Sequence, residues 1–249
     1  AGNHGDVLKH AALVRVVDAL RAASGEPITF VDAHAGRALY TLEPAAANAG
    51  IGRVEPHCDR LPRLHGWFQS IDAINPDPET LQRYPGSPLL LAERLRPGDR
   101  LELVERAGAE AEALRALFQG RPEVQVHEGD AWSLLPQLAG AGRRVLVLLD
   151  PPYVEATDWA QVGHALATLT RAGLTLLAWY PLLPGAGQQR GVLASTVPGA
   201  LVGEWETAPD AGGLRGCGLL LSGPPGAPFL ETLREDLDAL AALLRRAPG

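Results

Sequence analysis

Short, continuous apolar runs alternate along this chain with longer stretches of helical periodicity, and this alternation limits the possible folds more than any other feature. The apolar runs are rich in valine and leucine and occupy residues 27–33, 101–105, 124–128, 144–150, 174–180, 200–207 and 217–223. Helical periodicity occupies residues 6–24, 108–119, 131–139, 158–172, 184–196 and 227–246. Strands that are apolar throughout and separated by helices indicate a parallel sheet that is covered on both faces.

The last two strand patterns differ from the others in their connection. Only a glycine-rich loop, residues 209–216, separates them. A parallel crossover needs about a dozen residues or more, so this short link favours an antiparallel pair. The sequence therefore predicts an α/β fold with a mostly parallel seven-stranded sheet and an antiparallel last strand.

One segment, residues 41–85, interrupts the alternation. It contains several prolines, little strand pattern, and apolar side chains at helical spacing, namely Leu61, Leu64, Trp67, Phe68 and Ile71. We expect a small helical insert here, with no sheet strand inside it. The main domain would then comprise residues 1–40 and 86–249.

Composition and charge exclude several classes of protein. The chain has 249 residues, of which 46% are hydrophobic, enough for the core of one large domain. No apolar run reaches the ~18 residues that a membrane span needs. The net charge is −7, so any nucleic-acid surface must be a local arginine patch rather than a general basic field. Candidate arginines are Arg15, Arg37, Arg60 and Arg63.

The N-terminal stretch and the cysteines bear on the compartment. Residues 1–10 lack the apolar centre of a secretory signal, and the two cysteines, Cys58 and Cys217, stand alone. We therefore expect a cytoplasmic protein. The chain contains no methionine, so we expect residues to precede Ala1. The spacing of the first histidines matches no zinc pattern, and we expect no metal.

The motif Asp150-Pro151-Pro152-Tyr153 begins at the last residue of the strand pattern 144–150. Neither proline has an N–H, so the turn offers acceptors and few donors. An exocyclic amino group has two hydrogens, which the Asp150 carboxylate and the Pro151 carbonyl could accept. Tyr153 could offer a stacking face to the base that carries this amino group. The alternative is a turn that ends a strand and packs a tyrosine.

Three other strand patterns end at residues suited to a nucleoside. The loop 32–36, Asp-Ala-His-Ala-Gly, is built of small residues, and Gly36 would let a ligand approach the backbone. Glu105 could accept both hydroxyls of a ribose. Asp130 could bond the amino group of an adenine, cap the following helix, or do both. Each of these residues could also be part of an ordinary turn or a solvated acid. Together with Asp150, however, Asp32, Glu105 and Asp130 place four acids at the ends of successive strands.

In these motifs and several others, the chain resembles the bacterial 23S ribosomal RNA adenine-N(6)-methyltransferases of the RlmJ family. The matching stretches are AGNHGDVLKH (1–10), DAHAG (32–36), YPGSP (84–88), the glutamate at 105, GDA (129–131), LDPPY (149–153) and WYP (179–181). The resemblance implies a Rossmann-like class I methyltransferase with a helical insert. It also implies S-adenosylmethionine as cofactor and 23S ribosomal RNA, free or partly assembled, as partner.

The resemblance also implies roles for individual residues. Asp150, with Pro151 and Tyr153, would be catalytic, and Lys9 would lie beside the substrate. Trp179 either lines the base pocket or packs in the core. Contacts to the cofactor would come from His10, His34, Gly36, Ser87, Glu105, Asp130, Ala131 and Asp150.

The sequence departs from the family pattern at three places. Arg37-Ala38 follows the loop 32–36 where the family has Ala-Gly, and Arg106 stands where it tends to have histidine. The family's short segment before AGNH, with a tyrosine that meets the RNA, is not in the printed chain. We expect a monomer. The rival functions are a DNA adenine methyltransferase, a protein-glutamine methyltransferase, which normally has asparagine before Pro-Pro-Tyr, and an inactive RNA-binding relative.

Overall fold

The computed structural model describes residues 1–77, 80–139, 144–155, 157–207, 214–223 and 225–245. The strands are β1 (Ile28–Asp32), β2 (Leu39–Thr41), β3 (Arg83–Pro85), β4 (Arg100–Glu105), β5 (Val124–Glu128), β6 (Arg144–Leu149), β7 (Thr175–Pro181), β8 (Leu201–Glu206) and β9 (Gly216–Ser222). The α-helices are α1 (His4–Ala23), α2 (Pro44–Ala49), α3 (Ile51–Val54), α4 (His65–Ile74), α5 (Ser87–Ala92), α6 (Gly108–Leu117), α7 (Ala131–Ala139), α8 (Asp158–Arg171), α9 (Gly187–Thr196) and α10 (Ala227–Leu244). Two 3-10 turns lie at Glu55–Arg60 and Pro62–Leu64.

Seven strands form one sheet in the order β5-β4-β1-β6-β7-β9-β8. The first five are parallel neighbours, and β9 runs antiparallel to both β7 and β8. This confirms the predicted α/β class and the antiparallel pair at the end. Residues 209–213 of the predicted loop and residue 246 of the predicted last helix lie outside the described residues.

The central strands are buried on both faces, which explains their unbroken apolar sequence. Consecutive residues of β1 enter two different core clusters, with Phe30 on one side of the sheet and Val31 on the other. Helices α1, α4 and α10 contribute to the first cluster, and α7, α8 and α9 to the second. Helices thus cover both faces, and the parallel strands leave their carboxyl ends together at one edge.

Helix α1 is buried along most of its length and brings its first turns to this edge. Asn3 caps it, since its side-chain oxygen accepts the Asp6 N–H at 3.1 Å. The opposite side of the helix packs against α10, where Arg15 Nε lies 2.9 Å from Asp236 Oδ2. No helix in the described part of the chain is long and apolar enough to cross a membrane.

The segment 41–85 carries helices α2, α3 and α4, but our expectation that it holds no strand is wrong. Strand β3 lies inside it and pairs antiparallel with β2, with Tyr40 opposite Tyr84. A strand of three residues is too short to show an alternating pattern of apolar side chains, and about forty residues separate β2 from β3 in sequence. Their pairing therefore leaves no sequence pattern. Trp67 and Ile71 of α4 share the core cluster of α1, and the division into insert and main domain stays a prediction.

Candidate active site

The acids predicted to meet at the carboxyl edge of the sheet do so. Asp32 ends β1, Glu105 ends β4, Asp130 follows β5 and Asp150 follows β6, and these four strands are parallel neighbours. Glu105, Asp130 and Asp150 line a cavity of about 320 Å³, whereas Asp32 is fully buried and does not line it. The predicted residues His34, Gly36, Ala131 and Pro151 line the same cavity.

Backbone hydrogen bonds hold the Glu105 carboxylate at the cavity. The N–H of Gly36 donates to Oε2 and the N–H of Ala107 donates to Oε1, each at 2.7 Å. Gly36 has φ +57°, and a side chain there would meet the hydroxyl of Tyr40 at 2.7 Å, so glycine is required for this turn. A carboxylate has about four acceptor positions, so Glu105 can still accept two hydroxyl groups.

The cavity's other wall is formed by Asp130, Trp132 and His34. Asp130 Oδ2 accepts the Ser133 N–H at 3.0 Å and the Ser133 hydroxyl at 2.9 Å, so Asp130 caps α7 as one of its two predicted uses. The rings of His34 and Trp132 lie 5.0 Å apart. Burial lowers the pKa of His34 to about 4, so its ring is neutral, and its Nδ1 accepts the Asp150 N–H at 3.4 Å.

Lys9 and Asp150 form an ion pair at the cavity. Lys9 Nζ lies 2.5 Å from Asp150 Oδ2 and 3.0 Å from Asp6 Oδ1. Burial by itself lowers the pKa of Lys9, but the two carboxylates outweigh it and raise that pKa above its usual value. Asp6 is fixed in turn by the N–H of Gly2 at 2.9 Å. The second turn of α1 thus supplies a permanent cation to the turn that follows β6.

Two predicted cofactor residues, His10 and Ser87, are buried and are not among the residues that line the cavity. His10 Nδ1 is 3.1 Å from the hydroxyl of Tyr84, and burial lowers the pKa of His10 to about 3. Ser87 lies beside Asp32, where burial raises the pKa of the Asp32 carboxyl to about 7 against the influence of the Ser87 hydroxyl. Their contacts with a cofactor stay predictions.

Tyr153 and Trp179 pack together under the turn. Tyr153 is 8% exposed, its hydroxyl donates to the Trp179 carbonyl at 2.7 Å, and its ring centroid lies 4.6 Å from that of Trp159. Trp179 is partly buried, and Lys9 Nζ lies 5.8 Å from its ring centroid. Trp179 therefore contributes to packing, one of its two predicted roles. The stacking of a base on Tyr153 stays a prediction.

The sequence analysis missed several residues that line the cavity, among them Trp132, Arg106, Val154 and Asp158. Trp132 directly follows the GDA motif, so its neighbourhood in sequence was the signal that could have identified it. Arg106 likewise directly follows Glu105. A search limited to residues with hydrogen-bonding or acid–base chemistry passes over an aromatic or aliphatic cavity wall.

Three of the four arginines proposed for RNA contact have carboxylate partners. Arg15 and Arg63 both bind Asp236, and Arg37 binds Glu110 through Nε at 2.5 Å. Arg60 is exposed. An arginine already paired with a carboxylate adds little local positive potential. Among the described residues, no group of three or more His, Cys, Asp or Glu side chains could hold a metal ion.

Comparisons with known proteins agree with this geometry. A family model described as Ribosomal RNA large subunit methyltransferase D, RlmJ, matches residues 25–249. The chain is 32% identical over 192 residues to Ribosomal RNA large subunit methyltransferase J of Escherichia coli K12, covering 74% of this chain and 68% of that protein. It is 30% identical over 251 residues to the protein of the same name from Haemophilus influenzae Rd, covering 95% and 88%.

A solved structure extends the likeness to three dimensions. The crystal structure of a protein from Legionella pneumophila superposes with a TM-score of 0.86 at 27% sequence identity, covering 98% of this chain and 94% of that one. The two chains therefore share one fold over almost their whole length. On the family match and these relatives, the chain belongs to the RlmJ family of ribosomal RNA large subunit methyltransferases.

Proposed function

We propose that this chain transfers a methyl group from S-adenosylmethionine to the 6-amino group of an adenine in 23S ribosomal RNA, free or partly assembled. One observation carries the proposal. Asp150 and Pro151 line the same cavity as Glu105 and Asp130. Acceptors for an amino group thus lie beside acceptors for a nucleoside, as a transfer between two adenosine-containing molecules requires.

Asp150 and Pro151 would orient the target amino group. Lys9 holds Oδ2 of Asp150, so Oδ1 is the oxygen that would accept one amino hydrogen, and the Pro151 carbonyl would accept the other. Both bonds draw the nitrogen lone pair away from the ring and towards the methyl carbon. Bringing two reactants into register in this way supplies roughly 7–11 kcal/mol of barrier reduction.

The described residues fit S-adenosylmethionine, which supplies a methyl group on a positively charged sulfur. The cavity lies within the usual range of ligand sites, about 300–1,000 Å³. Glu105 is positioned by two backbone N–H groups with acceptor capacity left for ribose hydroxyls. Asp130 and Trp132 form a polar and a flat apolar wall for an adenine ring.

Lys9 would keep Asp150 ionised until transfer. The bond between the adenine nitrogen and the methyl carbon forms as the carbon–sulfur bond breaks, and the nitrogen then loses one proton to Asp150 or to water. A neutral Asp150 would donate rather than accept a hydrogen bond and would compete with the amino hydrogens. Burial raises the pKa of Asp150 and so favours that neutral form, and the Lys9 cation at 2.5 Å opposes the rise.

The test is transfer of a tritiated methyl group from labelled S-adenosylmethionine. The acceptors are unmodified 23S ribosomal RNA free of protein, assembled large subunits, duplex DNA and a protein extract. Labelled RNA is then digested to nucleosides. We expect label in N6-methyladenosine from free 23S RNA and little in assembled subunits, because the target adenine must be unstacked to reach the cavity.

Other outcomes identify the rivals. Label in DNA alone would indicate a DNA adenine methyltransferase, and label in protein alone a protein-glutamine methyltransferase. Binding of 23S RNA without any transfer would indicate an inactive relative. Label in a nucleoside other than N6-methyladenosine would refute the role assigned to the turn at Asp150.

A further inference from the structure

Val154 is an exposed aliphatic side chain at the mouth of the cavity. It is 81% exposed, more than any other large hydrophobic residue in the described part of the chain, and it lines the cavity together with Asp150 and Pro151. A single exposed valine on a protein surface is ordinary. Its position, on the rim of the site beside the carboxylate that would hold the target base, is what calls for an explanation.

The turn that presents Val154 is held in an unfavourable backbone conformation. Tyr153 has φ +53°, the only positive φ among the described non-glycine residues, a left-handed conformation that residues with a side chain rarely adopt. Its hydroxyl is bonded to the Trp179 carbonyl, and its ring packs on Trp159. This conformation buries Tyr153 and leaves both of its neighbours, Pro152 and Val154, exposed.

A hydrogen bond to α8 also holds the other end of the turn. The N–H of Glu155 donates to Asp158 Oδ2 at 3.3 Å, at the start of α8. Val154 is therefore anchored on both sides rather than carried on a free loop. An apolar group held rigidly before its partner arrives loses little entropy on binding.

We propose that Val154 is the wedge that contacts the bases next to the target adenine and fills the space this base leaves when it turns into the cavity. The inference rests on the proposed adenine methylation. Unstacking a base costs a few kcal/mol, and proteins that distort nucleic acids offset this by inserting apolar side chains between base steps. The ligand of Val154 is accordingly the apolar face of a nucleobase in RNA.

The test compares Val154→Ala with a matched control, Val192→Ala. Val192 lies on α9, is 63% exposed and does not line the cavity. Single-turnover methyl transfer is measured at saturating S-adenosylmethionine on one 23S RNA transcript prepared in two ways. In one sample the RNA is folded with Mg²⁺, and in the other its structure is loosened in EDTA at low salt.

For Val154→Ala we expect transfer to the folded RNA to fall about tenfold, because the wedge no longer offsets unstacking. The loss should shrink to about twofold or less on loosened RNA, where the target is already unstacked. Affinity for S-adenosylhomocysteine, measured by calorimetry, should not change. Val192→Ala should match the wild type throughout.

Three results would overturn the proposal. These are equal rates for Val154→Ala and wild type on folded RNA, an equal loss on both RNA preparations, or a weaker affinity for S-adenosylhomocysteine that accounts for the loss. Failure of the proposed function gives a different result, since the wild-type protein would then transfer no methyl group to either RNA.

Discussion

At the scale of single residues, the two carboxylates of the cavity are supported in different ways. Backbone N–H groups from two loops orient Glu105, whereas a lysine from the first helix forms an ion pair with Asp150. The backbone N–H groups orient the Glu105 carboxylate without placing an opposite charge beside it. Lys9 orients the Asp150 carboxylate and also places a positive charge beside it. Substituting each acid should therefore affect a different step.

Asp150→Ala should reduce single-turnover methyl transfer about 100–1,000-fold, the usual loss when one positioned electrostatic contact is removed. Cofactor affinity should change little, because the Glu105 and Asp130 contacts remain.

Glu105→Ala is the reciprocal variant, for which we expect weakened cofactor affinity and a nearly normal rate of methyl transfer at saturating cofactor. Calorimetry with S-adenosylhomocysteine and rapid-quench transfer assays separate the two steps. Weak cofactor binding in Asp150→Ala, with a normal rate at saturation, would contradict this assignment.

Asp32 should make stability depend on pH. Its pKa is about 7 in the folded protein and 3.8 as the reference, so the folded state binds the extra proton between these values. The contribution of Asp32 to stability is therefore fully present below about pH 4 and is lost as the pH rises to about 7. Asp32→Asn cannot ionise, so at about pH 8 it should exceed the wild-type free energy of unfolding by ~2–4 kcal/mol.

Urea denaturation at about pH 5 and about pH 8 measures this difference, and the gain should be smaller at the lower pH. The control is Asp59→Asn, which removes an exposed carboxylate. A gain of the same size at both pH values would show that Asp32 is ionised throughout, and the argument from burial would be wrong.

At the scale of elements, one side chain joins α4 to the β2–β3 ribbon. The buried amide of Asn75 donates to the Ile71 carbonyl at 2.8 Å and to the Arg83 carbonyl at 3.0 Å. Its oxygen accepts the N–H groups of Gln82 and Arg83, each at 2.9 Å. This side chain therefore fixes where β3 begins after the helical segment.

Asn75→Ala should lower the free energy of unfolding by about 2–4 kcal/mol, because four backbone groups, one buried and three part-buried, lose their partner. Asn75→Asp should be at least as damaging, since it replaces the amide donor and buries a charge. Asn48→Ala, at an exposed position of α2, is the control and should change stability by less than about 0.5 kcal/mol. Equal effects at the two positions in chemical denaturation would refute the role of Asn75.

The sequence predicted the main sheet well because four of its strands, β1, β6, β7 and β9, are buried nearly throughout and are therefore apolar almost without interruption. It failed at β2 and β3, and at the six-residue helix α5, because such short elements are stabilised by contacts distant in sequence. In the candidate site, the motifs identified the polar cavity residues Glu105, Asp130 and Asp150. They did not identify Trp132 or Val154, which directly follow two of the motifs but whose places in the cavity wall are set by packing.

At the scale of the whole molecule, the net charge of −7 gives RNA no general attraction to the protein. RNA must therefore bind at an edge of the sheet where arginine side chains are exposed. The backbone of Arg215 is fixed by hydrogen bonds to Leu182 and Thr207, at the same edge as the carboxyl end of β7. Its side chain is exposed. Arg171, also exposed, ends α8 before β7 begins and so lies at the opposite edge.

Arg215→Ala should weaken binding to 23S RNA and reduce the slope of log affinity against log salt by about 0.7, the value for one phosphate contact on a single strand. Arg171→Ala should leave the slope unchanged. Titrations at several salt concentrations measure both slopes. If Arg171→Ala reduced the slope and Arg215→Ala did not, RNA would bind the other edge of the sheet.

The contact between the first and last helices has a consequence for protein synthesis. Lys9 is held beside Asp150 by α1, and α1 is held in turn by α10 through Arg15 and Asp236. A nascent chain that still lacks α10 has made every cavity residue, but it lacks the ion pair between Arg15 and Asp236 that holds α1 from one side. We therefore expect α1, and with it Lys9 beside Asp150, to reach its final position only after α10 has been translated.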